Sequence, residues 1–246
     1  MCYLKRRFKL DEQWSFLHLP EKPNGFAVMV LGDTNHYVHE DSSLWEEQEG
    51  RRHLLDSLLS EGYTVFYSHL YGKHWGNSKA CRLAEELVHL MLKQEPLNST
   101  IHVLAEGMGA LTALRLMEKG NPAIRSAAFI NPCLDLGAYI KEVKETRWFY
   151  KRLLQQISEA YKTPLPSVYK VIEKTPSLSD YQARVPVKIW HSTGRTVFPF
   201  YVHSRPYAKT RDELGSPIKL LLHVPERQFH YSEAICRFFR ENEKNL

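Results

Sequence analysis

The chain has 246 residues, of which 43% are hydrophobic, with a formal net charge of +5 and four cysteines. This length suits one well-cored domain over 1–246 and leaves little room for a second. Basic residues are interspersed among 28 acidic ones without forming a stripe, so no nucleic-acid partner is expected. No apolar run approaches the roughly 18 residues that cross a bilayer, so no membrane partner is expected.

The first residues carry charges but lack the apolar core of a signal peptide. The cysteines lie far apart, a spacing that indicates neither a disulfide framework nor a zinc site. These two features predict a reduced, cytoplasmic setting.

Strand and helix patterns alternate along the first half of the chain. Apolar or β-branched runs predict strands at 14–19, 26–31, 63–67, 100–105 and 126–130. Apolar residues at helical spacing predict helices at 50–60, 78–93 and 110–117. This alternation predicts an α/β fold with a mostly parallel central sheet and helices on both faces.

The pattern changes over residues 136–180, which carry no strand signal. A charged, aromatic helix is predicted at 139–161, and such an insertion predicts a small helical cap over the carboxyl edge of the sheet. The alternative is an enlarged crossover helix without a gating role. Further strands are predicted at 186–190 and 218–224, with helices at 202–214 and 231–242.

A tight turn of small residues, Ala-Glu-Gly-Met-Gly at 105–109, joins the predicted strand at 100–105 to the following helix. Small residues allow the sharp strand-to-helix turn called a nucleophile elbow, normally G-x-S-x-G, which raises one side chain above the sheet. The raised position here is Gly107, which has no side chain. The sequence therefore predicts an elbow without its nucleophile.

Four motifs, in this order, resemble the α/β-hydrolase family, specifically its small esterase- and lipase-like members with a helical cap. They are Gly-Tyr-Thr-Val-Phe at 62–66 with the loop at 70–78, the elbow at 105–110, Pro-Val-Lys-Ile-Trp-His at 186–191 through 197–199, and Gln-Phe-His at 228–230. The resemblance covers about residues 26–239. It implies an α/β-hydrolase fold whose triad positions would be Gly107, Arg195 and His230.

In that family's mechanism a serine attacks a carbonyl, a histidine takes and returns the proton, and a carboxylate orients the histidine. Gly107 cannot attack, and a guanidinium at Arg195 would disfavour the protonated form of His230. The resemblance therefore implies a degenerate catalytic triad and argues against ordinary serine-type hydrolysis. An engineered serine-to-glycine change could explain Gly107 but not Arg195.

Two carboxylates offer partial substitutes. Asp135 follows the strand at 126–130, where some family members place the acid, so an Asp135–His230 pair is one candidate. The alternative for Asp135 is the N-cap of the cap helix. Glu106 either projects near the pocket or forms a structural hydrogen bond.

The resemblance also implies an oxyanion hole. Its donors would be the backbone N–H of Met108 and one from Asp33 or Thr34. Since this apparatus needs no serine, the hole, together with Gly107 and Glu106, is the predicted site for a small acyl or carboxylate ligand. The missing side chain of Gly107 would enlarge that site.

Four histidines lie in loops at the carboxyl end of the predicted sheet, where ligands bind in open α/β folds: His36, His39, His69 and His74. Their spacing matches no standard metal pattern, so no metal is expected. Without a glycine-rich phosphate fingerprint, no cofactor is expected either.

Three functions remain open at this point, with ligand and oligomeric state undetermined. The first is a non-hydrolytic pseudoenzyme that binds a small acyl or carboxylate ligand or acts in regulation. The second is an active esterase- or lipase-like hydrolase, or a lyase, in which His230, with Asp135, acts as general base. The third is a scaffold or partner-binding protein, whose pocket would be filled by residues such as Trp75, Trp148 or Phe149 and which would expose an apolar patch elsewhere.

Overall fold

The computed structural model describes residues 3–121, 123–194, 196–225 and 231–243. Within these ranges eight strands form one sheet in the order β1-β2-β4-β3-β5-β6-β7-β8. Their bounds are Leu4–Leu10, Gln13–Leu19, Ala27–Leu31, Thr64–Ser68, Ile101–Glu106, Ile124–Ile130, Val187–Ser192 and Ile218–His223. β2 is antiparallel to β1 and β4, and all other neighbours are parallel. The predicted mostly parallel sheet is confirmed.

Helices cover both faces of this sheet. Their bounds are Leu44–Glu47 (α1), Glu49–Ser60 (α2), Ser78–Gln94 (α3), Gly109–Lys119 (α4), Leu136–Val143 (α5), Arg147–Ala160 (α6), Val168–Ile172 (α7), Ser204–Glu213 (α8) and Ser232–Glu241 (α9). Helices α3, α4 and α8 enclose one apolar core, and α1, α2 and α9 enclose a second. The central strands are buried on both faces, which is why they appear in the sequence as continuous apolar runs. No helix in the described residues is both long and apolar enough to cross a membrane.

Strand β1 was not among the predicted strands. Its sequence, Leu-Lys-Arg-Arg-Phe-Lys-Leu, is mostly charged, which suits a strand at the sheet edge with much of its surface in solvent. It forms a hairpin with β2, in which Leu4 faces Leu19 and Leu10 faces Gln13. The two turn residues, Asp11 and Glu12, have φ of 43° and 60°, the left-handed values that tight hairpin turns require.

The single helix predicted at 139–161 is two helices, α5 and α6, separated at residues 144–146. The start of α5 is fixed earlier than predicted, because Asp135 caps it. The remainder of 136–180 contains only short helices and turns. Side chains of this segment, residues 136–180, here called the cap, pack on Trp75, Met108 and Leu111 to form a third apolar core above the sheet.

Candidate functional site

The predicted elbow connects β5 to α4. Gly107 has φ of +52°, in the left-handed region that favours glycine. Its N–H donates to the carbonyl of Ile130 (3.0 Å), and its carbonyl accepts from the N–H of Cys133 (2.9 Å). A side chain at Gly109 would meet the carbonyl oxygen of Leu31 at 2.3 Å, so α4 approaches β3 only because that position is glycine. The strand-turn-helix geometry of an elbow is therefore present.

The carboxyl group of Asp33 fills the space above Gly107. A Cβ atom built on Gly107 would lie 2.1 Å from Asp33 Oδ1 and 2.2 Å from its Cγ. The same Oδ1 accepts a hydrogen bond of 2.9 Å from the backbone N–H of Met108. The donor expected to line an oxyanion hole is thus already paired, and the enlargement predicted for a glycine apex is taken up by Asp33.

The electrostatics of Asp33 differ from those of a surface aspartate. Burial raises its pKa to about 6, and the nearby charge of Glu106 also raises it. The N–H groups of Met108 and Thr34 and the guanidinium of Arg51 act in the opposite direction. Asp33 therefore changes charge near neutral pH while in contact with the elbow.

Glu106 is held away from the elbow by an ion pair. Arg51, on α2, donates from Nε to Oε2 (2.8 Å) and from Nη2 to Oε1 (2.5 Å). The two side chains are only 13% and 15% exposed. Of the two roles considered for Glu106, the structure shows the hydrogen-bonded structural one.

The remaining predicted site residues are Asp135, Arg195 and His230. Asp135 accepts the N–H of Ala138 at 2.8 Å and so caps α5, the alternative considered above. Arg195 and His230 lie outside the described residues, and the Asp135–His230 pair stays a prediction. Cys133 is fully buried, and burial raises the pKa of its thiol well above the usual value, so the thiolate is disfavoured.

Three buried aromatic residues lie above the elbow: Trp75 from the loop after β4, Tyr139 from α5, and Phe198 from the loop after β7. Tyr139 stacks on Trp75 at a centroid distance of 6.1 Å and contacts Phe198 at 4.9 Å. The backbone N–H of Trp75 donates to the sulfur of Met108 (3.1 Å). Burial raises the pKa of Tyr139 to about 12. This cluster packs directly on the elbow.

A cavity of about 950 Å³, here called the cap cavity, lies beside this cluster. Its walls come from the cap and from the segment after β7, and it is lined by Tyr139, Glu142, Val143, Thr146, Phe149, 192–194, 196–197, 199–201 and Leu222. Neither Gly107 nor Met108 lines it. This cavity has no signal in the sequence, because its walls come from residues 139–149 and 192–201, which are far apart in the chain.

The histidines predicted to cluster do meet. His36, His69 and His74 line a second cavity of about 480 Å³, here called the loop cavity, together with Thr34. The ring of His39 lies 6.3 Å from that of His69. Among the described residues, no group of three or more histidines, cysteines or carboxylates could hold a metal ion.

The structure is similar to solved structures, although its sequence has no match. No family model and no curated protein matches the sequence. The structure is similar to Est1E from Butyrivibrio proteoclasticus (TM-score 0.66, 15% identity, 97% of this chain and 98% of that one). It is also similar to the Pyrococcus furiosus esterase Pf2001 (0.66, 16%, 97% and 92%). With the Pyrococcus horikoshii acylaminoacyl peptidase the TM-score is 0.70 at 13% identity, over 99% of this chain and 42% of that one.

These similarities, with the observed strand order, show that the chain has an α/β-hydrolase fold. At identities of 13–16% they show the fold alone.

Proposed function

We propose that this protein is a non-hydrolytic pseudoenzyme of the α/β-hydrolase fold that binds a small acyl ligand. The observation that carries the proposal is the hydrogen bond from Met108 N–H to Asp33 Oδ1 at the apex of the elbow. Acyl transfer in this fold needs a nucleophile at the apex and free donors for the oxyanion. Here Gly107 at the apex has no side chain. The carboxyl group of Asp33 occupies the space where a nucleophile would lie and pairs with the N–H of Met108.

The cap cavity supports the acyl class of ligand. Its volume of about 950 Å³ is within the usual range for small-molecule sites. Val143, Phe149 and Val197 give it apolar walls, and Thr146 and Thr196 add hydroxyl groups. Glu142 is the one charged side chain among its described lining residues. Because its negative charge repels a carboxylate, the cavity favours an acyl chain with a neutral head group over a free carboxylate.

Calorimetric titration with methyl octanoate and with octanoate tests this proposal. We expect saturable binding of the methyl ester, tighter than that of the carboxylate. Val143→Trp fills the cavity and should weaken binding at least about tenfold. Lys141→Trp, on an exposed turn of the same helix, is the matched control and should leave it unchanged. Absence of saturable binding to the wild-type protein would contradict the proposal.

A second candidate, partner binding, is favoured by an exposed aromatic pair on α6. Trp148 and Phe149 are 64% and 56% exposed and contact each other at 5.2 Å. Trp75, in contrast, is buried above the elbow, as a filled pocket requires. If this surface joins two copies of the chain, sedimentation will show a dimer that Trp148→Ser with Phe149→Ser removes. A monomer at all concentrations would contradict self-association.

A further inference from the structure

The loop cavity lies where two loops at the carboxyl edge of the sheet meet the end of α6. The loop after β3 contributes residues 34–36 to the lining. The loop after β4 and the start of α3 contribute seven residues within 69–79, and the cap contributes four within 156–162. Asn77 Nδ2 donates to the carbonyl of Ala160 (2.8 Å), which joins the second loop to the cap. The described lining residues of this cavity and of the cap cavity do not overlap.

His74 lines this cavity and offers it a hydrogen-bond donor. The residue is 2% exposed, and its Nδ1 accepts the backbone N–H of Gly76 at 3.1 Å, so the ring proton is on Nε2. Burial lowers the pKa of His74 to about 3, helped by His36 and His69, and the ring is neutral at pH 7. Its Nε2–H has no acceptor among the described residues, and it is not one of their fully buried unpaired atoms. Because His74 lines the cavity, a molecule bound there can accept a hydrogen bond from this N–H.

His69 presents the same kind of donor. Its Nδ1 accepts the N–H of Val38 at 3.4 Å, which places the proton on Nε2. Burial lowers the pKa of His69 also. His36 differs, because its Nε2 already pairs with the carbonyl of Ser68 at 3.1 Å. Two imidazoles therefore offer N–H groups to the cavity, and neither offers the lone pair that a metal ion needs.

Positive charge surrounds these donors. Lys73, Lys79 and Lys162 line the cavity, and Glu159 is the one carboxylate among its described lining residues. Lys79 lies 3.5 Å from Asp11, whereas Lys73 and Lys162 form no ion pair with any residue that the structure describes. Neutral N–H donors beside unpaired ammonium groups are the chemistry that recognises a phosphate or carboxylate.

We propose that the loop cavity binds a small organic anion through its phosphate or carboxylate group. The anion accepts hydrogen bonds from Nε2 of His74 and of His69 and pairs with Lys73 and Lys162. Its volume of about 480 Å³ suits a small molecule. This is a second ligand site, independent of the proposed acyl ligand in the cap cavity.

Calorimetric titration of the intact protein with inorganic phosphate and with acetate, at constant ionic strength, tests this site. We expect saturable binding of one or both anions. Lys73→Ala with Lys162→Ala should weaken it at least about tenfold. The matched control is Lys151→Ala with Lys170→Ala, which removes the same charge from exposed cap positions outside both cavities and should leave affinity within about twofold.

Binding of phosphate alone identifies a phosphate-bearing ligand, and binding of acetate alone a carboxylate; either supports the site. In a histidine ¹⁵N spectrum the bound anion should shift the Nε2 resonance of His74. The proposal is overturned if neither anion binds saturably to the wild-type protein, or if the two double variants lose affinity equally. Neither result would bear on the cap cavity, where methyl octanoate binding is measured separately.

Discussion

The Oδ1 atom of Asp33 accepts a hydrogen bond of 2.9 Å from the backbone N–H of Met108. That N–H lies at the start of α4, where the helix dipole favours a negative group. Above its pKa of about 6, Asp33 is therefore an anion already bound at the position where a hydrolase of this fold would stabilise its oxyanion. A substrate carbonyl could reach this donor only by displacing the carboxylate.

Asp33 should make stability depend on pH in a direction unusual for an aspartate. Its pKa is raised from 3.8 to about 6, so the folded state holds a proton that the unfolded state has lost. This contribution is complete below the unfolded pKa and is lost as pH rises through the folded value. Between pH 4.5 and 7.5 the free energy of unfolding of the wild type should fall by about 2 kcal/mol relative to Asp33→Asn. Urea unfolding at both pH values measures this, and parallel profiles would contradict it.

The contact between Gly107 and Asp33 should appear as an energetic coupling. Gly107→Ala forces a Cβ into the Asp33 carboxyl group, and we expect it to destabilise the wild type by about 2–3 kcal/mol. In Asp33→Ala the clash is gone and only the backbone cost at φ +52° remains, about 1 kcal/mol. Urea unfolding of the four proteins gives the coupling, expected near 1–2 kcal/mol. Additive effects would show that the two residues do not compete for space.

Removing one partner of the Arg51–Glu106 ion pair should lower the free energy of unfolding. Glu106→Leu leaves a guanidinium buried without its partner and should cost about 3 kcal/mol, whereas adding Arg51→Met should recover most of the loss. Glu61→Ala in the exposed Arg240–Glu61 pair is the control and should cost less than about 1 kcal/mol. Thermal unfolding compares them, and equal losses in the two single variants would refute the assignment.

Asp135 should behave as a helix cap. Asp135→Ala removes the acceptor for the Ala138 N–H and should cost about 1 kcal/mol, while Asp135→Asn keeps a capping oxygen and should be nearly neutral. Chemical denaturation measures both. If Asp135→Asn loses as much as Asp135→Ala, the negative charge matters and the capping role is insufficient.

The predictable parts of the fold are those whose pattern lies within a short stretch of sequence. Strands β3, β5 and β6 are largely apolar because both of their faces are covered, and the turn at Gly107 is marked by its small residues. β1 was missed because an edge strand half in solvent lacks such a run. The break between α5 and α6 falls at 144–146, where neither proline nor glycine marks it.

The contents of the site could not be predicted, because its contacts join distant parts of the chain. Asp33 and Met108 are 75 residues apart, and Arg51 and Glu106 are 55 apart. The loop of Asp33 was predicted to supply a donor, whereas its side chain acts as the acceptor. A glycine at the apex, together with an acid directly after β3, is the combined signal that could have indicated this arrangement.

Hydrolysis of a panel of short- and medium-chain p-nitrophenyl esters distinguishes a non-hydrolytic pseudoenzyme from an active hydrolase. The wild type is compared with His230→Ala and with His53→Ala, a control at an exposed position of α2. For a pseudoenzyme we expect no hydrolysis above the buffer rate with any of the three proteins. Turnover by the wild type and by His53→Ala that disappears in His230→Ala would contradict it and identify an active histidine-dependent hydrolase.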